Sequence, residues 1–372
     1  MQRYLMLAVV IAGIIGGVVY LEGLKPQRTT NARPEELAVA TTTTELATST
    51  PNNVKVTYLT AAQKASQYPK GKELVGINGY LNLPAGKHTL TLQELVGKKV
   101  IIVDFWTYSC INCQRTLPYM NAWYQKYQNQ GLEIIGVETP EFDFEKDAAN
   151  VQAAIAKFGI KYPVVQDNDY ATWTAYNNRY WPHKYIIDID GFIANDHIGE
   201  GGYAETEKEI QFLLQERADK LGLKTAVSTG IVNPNATPAP TTAVSPETYF
   251  GSSRNEFLGK SLKLVGSWDI ESEYARSTAA GDTIQYAYQA RHVYFVAHAT
   301  SPITVEILRD GKPLTYEQAG EDVVIGTDGK SRVTISEARL YKLINEAAGD
   351  AGHILQIVVP ASDLEAFTFT FG

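Results

Sequence analysis

Residues 98–127 read KKVIIVDFWTYSCINCQRTLPYMNAWYQKY. Val100 to Phe105 is an apolar run interrupted only by Asp104 and reads as a strand. From Gln114 onward Leu117, Met120, Tyr124 and Tyr127 recur at helical spacing. The strand-to-helix junction carries Cys110 and Cys113 in Cys-x-x-Cys spacing, so Cys110 falls at a helix N-terminus. Unpaired backbone N–H groups and the positive end of the helix dipole favour a thiolate there. A thiolate is the attacking species in disulfide exchange, and Cys113, one turn further on, is placed to resolve a mixed disulfide. Three other readings compete. A structural disulfide closing so short a loop contributes only about 2 kcal/mol. A structural zinc site needs four ligands, and the chain has no second cysteine pair and no paired-His motif. Inert buried cysteines do not require this spacing at a helix start. The redox reading is preferred, with no metal site expected.

Strand and helix patterns alternate onward from the motif. LEIIGVET (132–139), PVVQD (163–167) and HKYIIDID (183–190) read as strands. Asp147 to Phe158 reads as a helix with Val151, Ile155 and Phe158 on one stripe. Tyr203 to Leu221 reads as a second, stopped by Gly222. This alternation predicts an α/β domain. Asp188-Ile189-Asp190-Gly191 is read as an Asp-Gly hairpin turn in preference to a cation loop. Residues 225–246, with Pro234, Pro238, Pro240 and Pro246, read as an extended spacer. Asn235-Ala236-Thr237 fits the glycosylation pattern but is taken as ordinary linker. Beyond Pro246, TIQYAYQA, HVYFVAHA, ITVEIL, RVTIS and HILQIVV are short strands between Gly, Asp and Pro turns, predicting a β-sandwich. ARLYKLINEA within it is expected as a short helix.

Upstream, Tyr4 to Leu21 is an uncharged apolar run. As a helix it is about 27 Å long, close to the hydrocarbon thickness of a bilayer. Residues 1–25 are therefore expected to be an uncleaved single-span anchor, in preference to a cleaved signal peptide or a buried helix. Pro26 to Asn53 is rich in Thr, Ala and Ser, and residues 26–71 are expected to be a flexible tether, with the rest of the chain outside the cytoplasm. At 372 residues the chain has room for two domains. Its net charge of −8 argues against a nucleic-acid partner.

VDFWTYSCINC resembles the active-site segment of the thioredoxin superfamily. Asp104 matches that family's buried acid, and Pro118 its helix-kinking proline. Trp181-Pro182, just before a strand, matches the place of its cis-proline. The extra helix and strand between Val137 and Val165 resemble the TlpA/ResA-like, membrane-tethered branch. WTYSCINCQR and the closing SPETYFG…FTFTFG module resemble the C-terminal extracytoplasmic part of DipZ-type proteins. The resemblance implies a thioredoxin-like domain over 72–224 and a jelly-roll-like, carbohydrate-binding-like sandwich over 247–372. It implies a redox-active disulfide between Cys110 and Cys113 and no other cofactor. Asp104 would assist proton transfer at Cys113, and Pro182 would position the partner chain. Trp106 and Trp181 are candidates for shaping the substrate groove, packing being the equal alternative, and disulfide-containing proteins are the expected partners. Trp268, Tyr286 and Tyr288, with Tyr316, are candidates for stacking on cell-envelope glycan, packing being the alternative.

The pattern departs from the family in two places. DipZ-type proteins begin with a multi-span CcdA-like domain where this chain has one span, so a reductant role would need a separate membrane electron donor of the CcdA type. Ile111-Asn112 separates the cysteines, with no histidine to favour a strongly oxidising pair, so a reductant is expected. Thr107-x-x-Cys110 also resembles the peroxiredoxin Thr-x-x-Cys, but Val103 stands where that family has proline. A thiol peroxidase, and an envelope glycan-binding protein with a vestigial redox domain, are the alternatives.

Overall fold

The computed structural model describes residues 56–224, 226–234, 236, 245–346 and 351–372. The expected anchor, the tether up to residue 55 and much of the proline-rich spacer, including Asn235, lie outside the described residues. Among the described residues no helix is long and apolar enough to cross a membrane. Residues 58–372 form one compact unit.

Its N-terminal half is a six-stranded sheet in the order β1-β4-β3-β2-β5-β6. The strands are β1 (Gly79–Leu81), β2 (Val100–Trp106), β3 (Leu132–Glu138), β4 (Val164–Gln166), β5 (His183–Ile187) and β6 (Ile193–Ile198). β2, β3 and β4 run parallel, and the other neighbours pair antiparallel. Three helices matter for the site: α1 (Ile111–Tyr127), α2 (Ala148–Phe158) and α3 (Tyr203–Lys220). All seven residues of β2 are buried, because its two faces feed two cores. Val100, Ile102 and Trp106 pack with Met120 and Trp123 of α1 and with Ile210 and Leu214 of α3. Ile101, Val103 and Phe105 pack with Leu90, Leu92, Tyr176 and Tyr185 on the opposite side. The two-residue period of a strand thus puts Asp104 on the face beneath α1.

The C-terminal half is an antiparallel sandwich. One sheet runs Arg339–Asn345, His292–Ala299, Leu364–Phe371, Ala275–Ser277, Trp268–Ile270, with Thr248–Tyr249 added to the third. The other runs Val324–Ile325, Ser331–Ile335, Ile303–Arg309, His353–Val358, Thr283–Tyr288, Leu262–Val265. Inward residues such as Val293, Phe295, Tyr341, Leu343 and Phe369 form its core. Tyr294, Val296, Leu340 and Phe367 face outward from the first sheet and pack against Ile111, Phe142 and Phe144 of the N-terminal half.

Three expectations are corrected. The segment expected as a helix, ARLYKLINEA, contains the strand Arg339–Asn345. Its sheet is apolar on both faces, so the alternation that marks a strand is lost and Leu340, Leu343 and Ile344 mimic helical spacing. The tether gives way to ordered chain before residue 71. Ala61–Ala65 is helical, and the buried Lys64 ammonium reaches Asp188 at 2.6 Å, Asp190 at 2.8 Å and Glu216 at 2.6 Å. Residues 226–234 of the spacer lie on the N-terminal half, where the Val232 N–H donates to Glu207 at 2.7 Å and Lys126 donates to the Gly230 carbonyl. The Asp188–Gly191 segment is a hairpin turn: Asp188 Oδ1 accepts from the Asp190 and Phe192 N–H groups.

Candidate active site

Cys110 is the N-cap of α1, in extended conformation, and its sulfur accepts the Cys113 N–H at 3.3 Å. The sequence folds this way because β2 ends at Trp106 and the loop Thr107–Ser109 turns the chain into the first helical turn. Cys110 is partly exposed; Cys113 is buried. Burial, and then the hydrogen bond to Cys110, push the Cys113 thiol well above its ordinary range.

Asp104, 1% exposed, is near enough for its charge to act on this thiol, and its Oδ1 has no hydrogen-bond partner. Burial raises its carboxyl to about 7, with the Lys184 charge acting in the opposite sense. Lys184 stands directly across from Asp104 in the β2–β5 register. It is fully buried, and its ammonium donates to the Gly199 carbonyl at 3.2 Å. Burial pulls the Lys184 pKa down and Asp104 opposes that. Because the folded chain holds the Asp104 proton more tightly than the unfolded chain, stability falls as pH rises from about 4 to about 7. Above that window the cost of the buried carboxylate is complete. Asp104→Asn is therefore expected to stabilise the chain by more than about 1 kcal/mol at pH 8. Urea unfolding measured at pH 8 and pH 4 checks this: the gain should vanish at the lower pH.

The Trp181–Pro182 peptide is cis. The Trp181 indole donates to the Thr139 carbonyl at 3.0 Å and packs on Trp173 at 4.2 Å between ring centroids. A cavity of about 400 Å³ opens beside Cys110, lined by Asn112, Arg179 and Trp181 on one side and by Tyr249 and Arg254 of the sandwich on the other. Trp106 does not reach this cavity, correcting the groove role expected for it. It is fully buried under α1, its indole nitrogen close enough to Gly136 that a Cβ there would sit 2.9 Å away. Tyr286 and Tyr288 are corrected too: both are buried in the sandwich core, packed on Phe371, and present no face to a sugar. Trp268 remains half-buried beside Leu264, Val265 and Ile270 in a shallow groove on the far edge, and Tyr316 is exposed.

Two further groups at the site escape sequence reasoning. Glu145, fully buried, accepts the Ser109 hydroxyl at 2.6 Å, the Ser109 N–H at 3.3 Å, and the N–H groups of Glu141 at 2.6 Å and Phe142 at 3.1 Å. It binds the loop before Cys110 to the segment that meets the sandwich. Burial raises its carboxyl to about 7, with the Ser109 hydrogen bond opposing. Nothing in FDFEKD separates it from a surface acid. Arg115, also buried, forks onto Glu200 at 2.7 and 2.8 Å and donates to Asn112 Oδ1 at 2.7 Å. Only its position next to the motif sets it apart in the sequence. Glu145→Ala strands several buried donors and is expected to cost about 2–4 kcal/mol. Chemical denaturation reads that loss, and Glu145→Gln, which keeps one acceptor, should lose less.

Two family models match the chain: the AhpC/TSA family over residues 80–195 and the Thioredoxin like C-terminal domain over residues 258–372. Protein DipZ of Mycobacterium bovis is 37% identical over 322 residues, covering 81% of this chain and 42% of DipZ. The chain thus spans about two-fifths of that relative's length. Thiol-disulfide oxidoreductase YkuV of Bacillus subtilis is 30% identical over 144 residues, 39% of this chain and 93% of YkuV. Thiol-disulfide oxidoreductase ResA of Bacillus thuringiensis is 31% identical over 127 residues, 34% of this chain and 68% of ResA. The strand-to-helix junction with its Cys-x-x-Cys pair falls inside the matched thioredoxin-like region, and the chain belongs to the thioredoxin-like thiol–disulfide oxidoreductases.

Proposed function

We propose that the chain is a membrane-anchored thiol–disulfide oxidoreductase working outside the cytoplasm, as a reductant of disulfide-containing proteins. The observation that carries this reading is the partly exposed Cys110 sulfur at the start of α1, holding the Cys113 N–H and facing a cavity. The Cys110 thiolate attacks one sulfur of a substrate disulfide. That S–S bond breaks, a mixed disulfide forms, and the first substrate thiolate leaves and takes up a proton. Cys113 then passes its proton to Asp104 by way of a water and attacks the Cys110 sulfur, and the second substrate thiolate leaves and takes up a proton. Two electrons pass to the substrate and the Cys110–Cys113 pair ends as a disulfide. Cys113 is held protonated until needed by its burial, and Asp104 titrates near neutrality, so it can accept that proton at physiological pH. Asp104→Asn should accordingly slow release of the second thiol by tenfold or more.

Restoring the dithiol needs an external dithiol donor, for which a membrane protein of the CcdA type is the matching class. The apolar 4–21 run supports the anchor. The sandwich walls the dithiol cavity, which favours a role in the redox reaction over an independent glycan-binding one.

The test is reduction of a disulfide-linked reporter peptide by the full chain with dithiothreitol as terminal reductant. Catalysed turnover is expected. Rapid consumption of hydrogen peroxide by the reduced chain, without peptide turnover, would favour the thiol peroxidase instead.

A further inference from the structure

The sandwich packs on the segment that carries the dithiol. Ile111, the first residue between the cysteines, is 4% exposed and packs in one apolar cluster with Val296, Leu340 and Phe367 of the sandwich sheet. Asn112, the second, is held by Arg115, whose guanidinium lies 5.9 Å from the Tyr294 ring centroid, again in the sandwich. On the other flank of Cys110, Glu141 accepts the Tyr249 hydroxyl at 2.7 Å and Arg254 at 2.8 Å, and Arg254 stacks on the Tyr249 ring at 3.8 Å. Both sides of the reactive loop are therefore gripped by the C-terminal half.

The space left beside the sulfur is the cavity of about 400 Å³, whose sandwich wall includes Thr368 and Thr370. That volume suits a small molecule or a few residues of extended chain. A folded partner docks through roughly 800 Å² of its own surface, and the ground it would occupy on the sandwich side is already covered.

We infer that the sandwich acts as a built-in size filter, admitting to Cys110 only disulfides carried on a narrow, flexible chain: a short cysteinyl peptide or an unfolded protein segment. The inference rests on the thiol–disulfide reading and narrows its substrate class. The exchange itself is the balanced two-electron transfer described above, with the reduced chain as electron donor.

The test uses the pre-reduced full chain in single turnover, following its oxidation by three disulfides. These are oxidised glutathione, a small single-disulfide protein in its folded form, and a destabilised, unfolded variant of that protein. The unfolded protein should react at least tenfold faster than the folded one. Reaction with oxidised glutathione as well extends the class to free peptides; its failure to react confines the class to protein segments. Equal rates for folded and unfolded protein overturn the inference, independently of any variant of this chain. Thr370→Trp, which fills the sandwich wall, should slow the reaction with the unfolded protein at least tenfold. Alkylation of reduced Cys110 by iodoacetamide should change less than twofold in that variant. An undiminished reaction in Thr370→Trp overturns the filter alone, whereas a wild-type chain inert to all three disulfides overturns the redox reading and the filter with it.

Discussion

Cys110→Ser is expected to lower turnover of a disulfide-linked peptide by at least about 1,000-fold, to background. A serine hydroxyl is not ionised at neutral pH, and it cannot form the sulfur–sulfur bond of the mixed disulfide. Cys113→Ser should behave differently. Cys110, partly exposed at the cavity, still attacks, but nothing releases the adduct, so a covalent Cys110–peptide species accumulates and is read by mass spectrometry. The asymmetry follows from burial: one sulfur meets the substrate and the other meets only the first sulfur. An equal fall in both variants without an adduct would contradict the assigned order of attack.

Phe142→Ala is expected to cost about 3–5 kcal/mol of stability. The ring is 1% exposed and lies 5.5 Å from Phe144 and 5.1 Å from Phe367 between centroids, with Arg254 at 5.3 Å. Removing it opens a void at the seam of the two halves and loosens the Glu141–Glu145 segment, which Glu145 ties to Ser109 beside Cys110. Urea unfolding followed by both tryptophan fluorescence and circular dichroism measures the loss. The two probes coincide in the parent chain if the halves unfold together, and should separate in the variant. A loss under about 1 kcal/mol would mean the seam contributes little and the sandwich stands alone.

Much of the N-terminal half was legible because its signals are local. LEIIGVET became β3 and Asp147–Phe158 became the cap and body of α2, since a buried parallel strand and an amphipathic helix each carry their own periodicity. The cysteine pair was legible for the same reason: spacing and helix start lie within a few residues. What was not legible is what two distant segments make together. Lys184 opposite Asp104 comes from pairing β5 with β2, and neither residue alone announces the other. Trp106 beside the motif looked like groove lining, but strand alternation turns it under α1 with Ile102. The seam draws Tyr294, Val296, Leu340 and Phe367 from three strands, so no contiguous patch marks it, and its burial of both sheet faces is what disguised Arg339–Asn345 as a helix.

The most direct measurement is a count of alkylatable thiols, by mass, in the full chain equilibrated across a graded series of reduced and oxidised dithiothreitol. Cys110 and Cys113 should disappear together in one two-electron transition and return together on reduction. Persistence of two free thiols in every mixture would contradict the account.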